Sequence, residues 1–513
     1  MTVATRHQSS ALPRRTGVDG VWPARGWRGY LVLATLLAPM CVPQGPGQSG
    51  LLDILNLPAL FFFGLLLLGG RRIKTPMFFA VLIIAIGSVL ATFSAPSMSK
   101  AALTVTQDFY LFSWFLLVVN VLRGERDLHA MRVAWMWAGV GVSLWALLQV
   151  LLDTGSLTGL LGARGLRPHG TMYNSNMLAD YLVISLFVAM SLVKDLPRRI
   201  TIPACGVLLL ALIATKSNGG MISLGAGLAV WLVVKSIASR LPLRPVLAVM
   251  AVVVGLAGFA WWLNVEWRVG DAQLEAIQRH TFAGRMEHSA ESRGRIRESL
   301  QRAYSRSPLG IGPGNSEALT VSIAERERRD SYQSKEAHSD YLAYAIERGP
   351  LGLSGLLVLT FMGFVHVAGY WKHSAPSGTR AERASLWTAS MAAALTSSAV
   401  HSTVIEKLHF RHFWLLLAMV CASTYIAKRH AARRLLRLGA APRPVVAPMG
   451  LEPHAPGRRV PALAMAAGAA ALSAPRRMAL LATPPAHRLG SAAALARRYR
   501  TTGTGDPSGG VVS

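Results

Sequence analysis

Four stretches of this chain gather side chains able to hold an anion or move a proton. The segment 162–176 carries Arg164, Arg167 and His169 ahead of Asn174 and Asn176. Arginine presents a planar fork of N–H donors that matches phosphate oxygens. Asn174-Ser-Asn176 precedes an apolar run, where Asn or Ser would cap a helix. The turn Thr215-Lys216-Ser217-Asn218-Gly219-Gly220 adds a cation and a glycine pair able to expose backbone N–H groups. Arg293 and Arg297 lie four apart in 293–304, where Ile296, Leu300 and Tyr304 form an apolar helical stripe. Like charges at that spacing repel unless an anion lies between them or acids such as Glu291 and Glu298 share the face. The fourth stretch is Glu336-Ala337-His338-Ser339-Asp340-Tyr341-Leu342. The spacing predicts a helix starting within 334–337, breaking at Gly349-Pro350, with His338, Tyr341 and Ala345 on one face. In a first turn the helix dipole opposes protonation of His338. A neutral imidazole can accept the proton of a hydroxyl, or simply cap and pack at a loop–helix joint.

These residues need elements to hold them, and composition says which. The chain has 513 residues, 52% hydrophobic and only 15% charged. Soluble domains are about a quarter charged, so this balance reads as an integral membrane protein. Apolar runs recur at 27–43, 51–69, 77–95, 101–122, 128–152, 177–193, 200–214, 221–237, 246–263, 351–371, 386–404 and 412–427. That predicts an all-α, polytopic membrane fold of about 12 spans, each near 20 residues. Every second connector is basic: 71–74, 123–126, 194–199, 235–244, 372–383 and 428–429, after an N-terminal segment with Arg14, Arg15, Arg25 and Arg28. The alternate short connectors 44–50 and 95–99 carry no positive charge. The positive-inside bias then makes both termini cytoplasmic. All four chemical stretches fall on the other side, where topology demands no cations.

The predicted organisation is a cytoplasmic segment 1–28, spans one to nine over 29–263, a large external loop 264–350, spans ten to twelve over 351–427, and a disordered basic tail 428–513. The net charge of +28 does not argue for nucleic acid, because the arginines sit between apolar runs and in the tail. A basic tail could touch anionic lipid or serve as spacer and topology determinant. Cys41, Cys205 and Cys421 lie in or beside apolar runs with no metal spacing, which suits packing. The first apolar run reads as an uncleaved helix, not a signal peptide.

The chain resembles the bacterial O-antigen ligase and O-antigen or exopolysaccharide polymerase superfamily of polytopic glycosyltransferases. The carriers are Arg167-Pro-His-Gly-Thr-Met-Tyr-Asn-Ser-Asn176, then Pro308-Leu-Gly-Ile-Gly-Pro-Gly-Asn315 after Arg293, then His338-Ser-Asp-Tyr-Leu342 with Glu347-Arg-Gly-Pro-Leu-Gly352. The resemblance implies a glycan donor on undecaprenyl diphosphate at the periplasmic face of the inner membrane. It implies a glycan or lipid A core acceptor, and no metal or other cofactor. By resemblance Arg167 and Arg293 bind the diphosphate, and His338 assists the acceptor hydroxyl. Arg164, His169, Lys216, Arg297 and Tyr341 join them as candidate substrate contacts. The family often has Ser-Arg-Gly after the seventh span; here Ser217-Asn218-Gly219 follows Lys216, leaving Lys216 or no residue in the arginine's place. Arg293, Arg295 and Arg297 all stand near the position of the loop arginine.

The chemistry is consistent with that expectation. Diphosphate is a good leaving group, and fixed cations can stabilise the charge that grows on it. No Asp-x-Asp metal motif occurs in the external loops. Ligase and polymerase differ in the acceptor, and the motifs fit both. A transporter of lipid-linked glycans is the rival of another class. It calls for charged or broken mid-membrane helices in a repeated pattern. Asp108 beside Gln107 is the main ionisable residue read inside a span, and no internal repeat is visible.

Overall fold

The computed structural model describes residues 24–41, 50–70, 73–152, 167–172, 174–238, 304, 307–316, 339–374 and 378–439. These lie in one compact unit, Met1–Ala441. Among them are eleven helices and no β-strand: α1 (Ala24–Leu37), α2 (Leu51–Leu68), α3 (Phe78–Thr92), α4 (Met98–Val121), α5 (Glu125–Leu152), α6 (Ser175–Met190), α7 (Arg198–Ala214), α8 (Asn218–Ala238), α9 (Asp340–His373), α10 (Gly378–His401) and α11 (Arg411–Gly439). Eleven of the apolar runs read from the sequence overlap these helices. The run 246–263, most of the loop 264–350 and the tail from 440 lie outside the described residues, while 428–439, expected as disordered tail, continue the last helix to Gly439. Five helices, α2, α4, α5, α8 and α9, are long and apolar enough to cross a bilayer, and α3 and α6 are apolar but shorter. At 1.5 Å per residue an 18-residue helix spans about 27 Å, close to the hydrocarbon thickness.

Burial sorts the helices into a core and a rim. In α6 every residue from Met177 to Ala189 is buried, and α11 is buried almost continuously from His412 to Ala422. On the rim, Leu57 and Phe61 of α2, Phe79 of α3 and Phe361 of α9 are exposed. An apolar surface facing outward is what lipid contact requires. α3 and α9 pack through small residues: a Cβ on Gly87 would lie 2.8 Å from the Gly352 nitrogen, and one on Gly355 2.9 Å from the Ile84 nitrogen. Lipid gives helices no hydrophobic reason to associate, so close backbone packing of this kind takes its place.

Hydrogen bonds and ion pairs separate the two ends of the bundle. At one end Arg28 pairs with Asp127, Lys194 with Glu382, and Arg132 and Arg383 with Asp195. Lys74 and Asn120 join there through backbone–side-chain bonds. These residues come from or adjoin the basic connectors. At the other end the sparse connectors meet one another: Cys41 N donates to Thr171 O, and Asn315 Oδ1 accepts from Ser97 N. The alternation read from charge is therefore also an alternation of contacts.

The helix predicted to begin within 334–337 instead begins at Asp340, where the Ser339 hydroxyl accepts from Leu342 N as N-cap. His338 thus precedes the cap. The helix breaks at Gly349-Pro350 as expected: Gly349 is non-helical at φ 65°, ψ −165°, and a second helical stretch of α9 follows at once and runs to His373.

Candidate functional site

Arg167 is placed by the segment leading into α6. The Asn174 side chain caps that helix by accepting from Met177 N at 2.8 Å. Arg167 then reaches across to the turn between α7 and α8. Its Nε donates to Thr215 O at 3.0 Å and its Nη2 to Asn176 Oδ1 at 3.1 Å. The Ser217 hydroxyl donates to the same Asn176 oxygen at 3.0 Å. Two stretches read separately as anion sites are thus one hydrogen-bonded unit. Lys216 sits at its outer edge, exposed and held at φ 53°. A non-glycine residue in that left-handed region is uncommon and costs about 1–2 kcal/mol.

His169 is buried in the same segment, its Nδ1 3.1 Å from Met172 O. Gln149 clamps the neighbouring Gly170, accepting from its N at 2.9 Å and donating to its O at 3.3 Å. The imidazole therefore holds the loop that carries Arg167. Tyr341 donates its hydroxyl to Ala399 O at 3.1 Å, tying α9 to α10. His338, Arg164, Arg293 and Arg297 lie outside the described residues.

The connector between α10 and α11, 402–410, joins the Arg167–Lys216 turn to the start of α9. On the turn side, a Cβ on Gly219 would stand 2.6 Å from Val404 Cγ2 and 3.1 Å from His401 Nε2. On the α9 side, Asp340 N donates to Ser402 O, and Asp340 Oδ1 accepts from Lys407 N and Leu408 N. Below the connector lies a buried cluster. Asp180 of α6 meets His401 Nδ1 at 3.0 Å, Lys407 Nζ at 3.0 Å and His412 Nε2 at 2.9 Å. Each imidazole faces a carboxylate oxygen with one nitrogen, while His401 Nε2 and His412 Nδ1 are buried without a partner among the described residues.

Sequence reasoning missed this cluster, although two signals were present. Asp180 is an acid inside an apolar run, so Asp108 is not alone there. Lys407 and Arg411 are cations within and just after a connector on the side where topology requires none. Arg411 also reaches into the bundle, pairing with Asp53 of α2 at 2.6 Å.

The glycine-rich stretch 308–315 docks on the kink of α9. Pro350 has no N–H to give Ile346 O, and Gly349 turns the chain so that Glu347 O is also released. Ile311 N donates to Ile346 O at 2.9 Å and Gly312 N to Glu347 O at 3.0 Å. The Ser316 hydroxyl adds a bond to Glu347 Oε1 at 2.6 Å. The backbones are close enough that a Cβ on Gly310 would lie 2.6 Å from Glu347 O, and one on Gly349 2.6 Å from Leu309 O. Beside this joint, between α4, α9 and the 402–410 connector, is a polar cavity of about 280 Å³. The Arg348–Asp108 ion pair, 2.7 Å, crosses its wall, with the guanidinium 4.0 Å from the Tyr344 ring centre.

Residues 203–357 match the family model described as O-antigen ligase. The matched segment contains the 215–220 turn, the 308–315 loop and the start of α9. No curated protein matches the chain. The match supports a likeness of this segment to the O-antigen ligase superfamily and, together with the long apolar helices, a multi-pass bacterial membrane protein.

Proposed function

We propose that this chain, as a member of the O-antigen ligase superfamily, moves a glycan from undecaprenyl diphosphate to a hydroxyl acceptor at the periplasmic face of the inner membrane. The observation that carries this reading is the joining of Arg167 and the Lys216 turn through Asn176 and Ser217. It gives a fixed cationic edge of the kind a leaving diphosphate needs. The acceptor oxygen attacks the anomeric carbon and the bond from that carbon to the diphosphate oxygen breaks. The acceptor proton passes to His338, and undecaprenyl diphosphate departs with its charge held by Arg167, Lys216 and a loop arginine, Arg293 or Arg297. Attack opposite the leaving group inverts the anomeric centre. The cations do the work a divalent ion does in other transferases. Both termini are cytoplasmic in this reading.

Ser339 and Asp340 are pinned to Ser402, and His401 lies against Gly219. In the sequence His338 directly precedes this anchored pair. The test is transfer by purified full-length protein in nanodiscs, with native lipid-linked glycan as donor. Arg167→Ala and His338→Ala should each lower turnover by 10²-fold or more, the typical scale for an acid–base or charge-stabilising group. Wild-type turnover by folded variants would overturn the site assignment. Product length separates the two acceptor classes: single attachments to lipid A core mark a ligase, multiples of the repeat a polymerase.

A further inference from the structure

We infer that the cavity on α9 seats the sugar ring of the acceptor, a neutral polyhydroxyl ligand gripped by Asp340 and Arg348. The inference rests on the transferase reading above and deepens it. The cavity runs along one helical face: Asp340, Tyr344, Glu347 and Arg348 fall at i, i+4, i+7 and i+8. At about 280 Å³ it falls just below the usual range of ligand pockets, about 300–1,000 Å³, a size for one ring and not an oligosaccharide.

Two of its buried side chains keep atoms without a hydrogen-bond partner among the described residues. Asp340 Oδ1 accepts two backbone N–H groups and the carboxylate lies beside the Ser402 side chain, yet Oδ2 meets no donor at hydrogen-bond geometry there, and the residue is 2% exposed. Arg348 is 3% exposed, uses Nη2 on Asp108 and stacks on Tyr344, while Nε and Nη1 meet no acceptor among the described residues. A buried donor or acceptor left unmade is costly, and native proteins rarely keep one without use. A ring with neighbouring hydroxyls supplies a donor to the carboxylate and an acceptor to the guanidinium at once.

Charge separates this site from the diphosphate. Asp108, Asp340, Glu347 and Glu406 oppose Lys100 and Arg348 in the lining. Desolvation, then Arg411 and His412, push the His409 imidazole in the same wall well below its ordinary value, so it adds no charge. The balance is acidic and repels a diphosphate, which the Lys216 edge attracts. The 402–410 connector spans both: Val404 meets Gly219, while Leu408 and His409 line the cavity. In the sequence His338 precedes Asp340 by two residues.

Saturation-transfer NMR on the full-length protein in nanodiscs tests the assignment. The probes are methyl glycosides of glucose, galactose and N-acetylglucosamine, with farnesyl diphosphate as the diphosphate probe. At least one glycoside should receive saturation, falling fivefold or more in Asp340→Asn and in Thr104→Trp, which fills the cavity. Leu103→Trp at the rim is a second block if Thr104→Trp does not fold. Farnesyl diphosphate should still bind the blocked variants and be lost in Arg167→Ala. No glycoside signal, or one unchanged by all three variants, overturns the subsite. So does loss of farnesyl diphosphate from folded blocked variants, which would put the diphosphate in the cavity. If glycoside binding behaves as expected but the wild type neither binds farnesyl diphosphate nor transfers glycan, the transferase reading falls and the sugar site stands.

Discussion

Lys407 has no exposed surface, so its ammonium depends on Asp180 and on the Ser398 hydroxyl for what water would otherwise supply. Breaking a buried ion pair by removing one partner costs about 3–5 kcal/mol, because the other charge is stranded. Lys407→Met and Asp180→Leu should each lower the melting temperature in detergent more than the double variant does. Additive losses in that cycle would mean the pair is not coupled. Lys216 makes the opposite prediction. Its φ of 53° suits glycine, so Lys216→Gly should stabilise the fold by about 1 kcal/mol. The same change removes the exposed cation. A higher melting temperature together with a raised KM for the lipid-linked donor is expected, and an unchanged KM would take Lys216 out of the diphosphate site.

The decisive element is α9, whose broken turn is completed by a distant loop. Gly310 has φ 104° and no room for a Cβ against Glu347 O. Gly310→Ala should therefore cost about 1–3 kcal/mol for the left-handed strain alone and loosen the joint. Faster proteolysis at 307–316 with an otherwise intact bundle is the expected readout; wild-type kinetics would mean that the loop does not depend on this fit. Sequence reading reaches the helices, because a span must satisfy its backbone internally and so declares itself as an apolar run. It also brings forward Arg167 and Lys216 as candidates, cations on the side that needs none, but not that Arg167 is bonded into the Lys216 turn. It does not reach the docking of Ile311 and Gly312 on Ile346 and Glu347, since backbone bonds carry no side-chain signature. The glycines in 308–315 announce a close approach, but not that the partner is the chain's own kink. Nor does it reach Asp180, whose partners gather from α10, α11 and the connector between them.

At the scale of the whole bundle, the two ends differ in charge and in contact, which fixes an expected topology. In a chain with Cys41, Cys205 and Cys421 replaced, Lys194→Cys should react with a membrane-impermeant maleimide only in inverted vesicles, and Ser99→Cys only in intact spheroplasts. Labelling of both from one side would break the alternation on which the periplasmic site depends. The Asp180–Lys407 pair sets a further condition on how such a bundle is made. The two residues are 227 apart in the chain. At about 5–20 residues per second, α6 waits roughly 10–45 s for its cation to be synthesised. An acid within a span opposes insertion during that wait, by at most about 2.5–3.5 kcal/mol, the cost at a helix centre. Assembly of this protein is then a matter of custody: something, whether translocon, insertase or neighbouring helices, must shelter α6 until the C-terminal hairpin arrives to claim it.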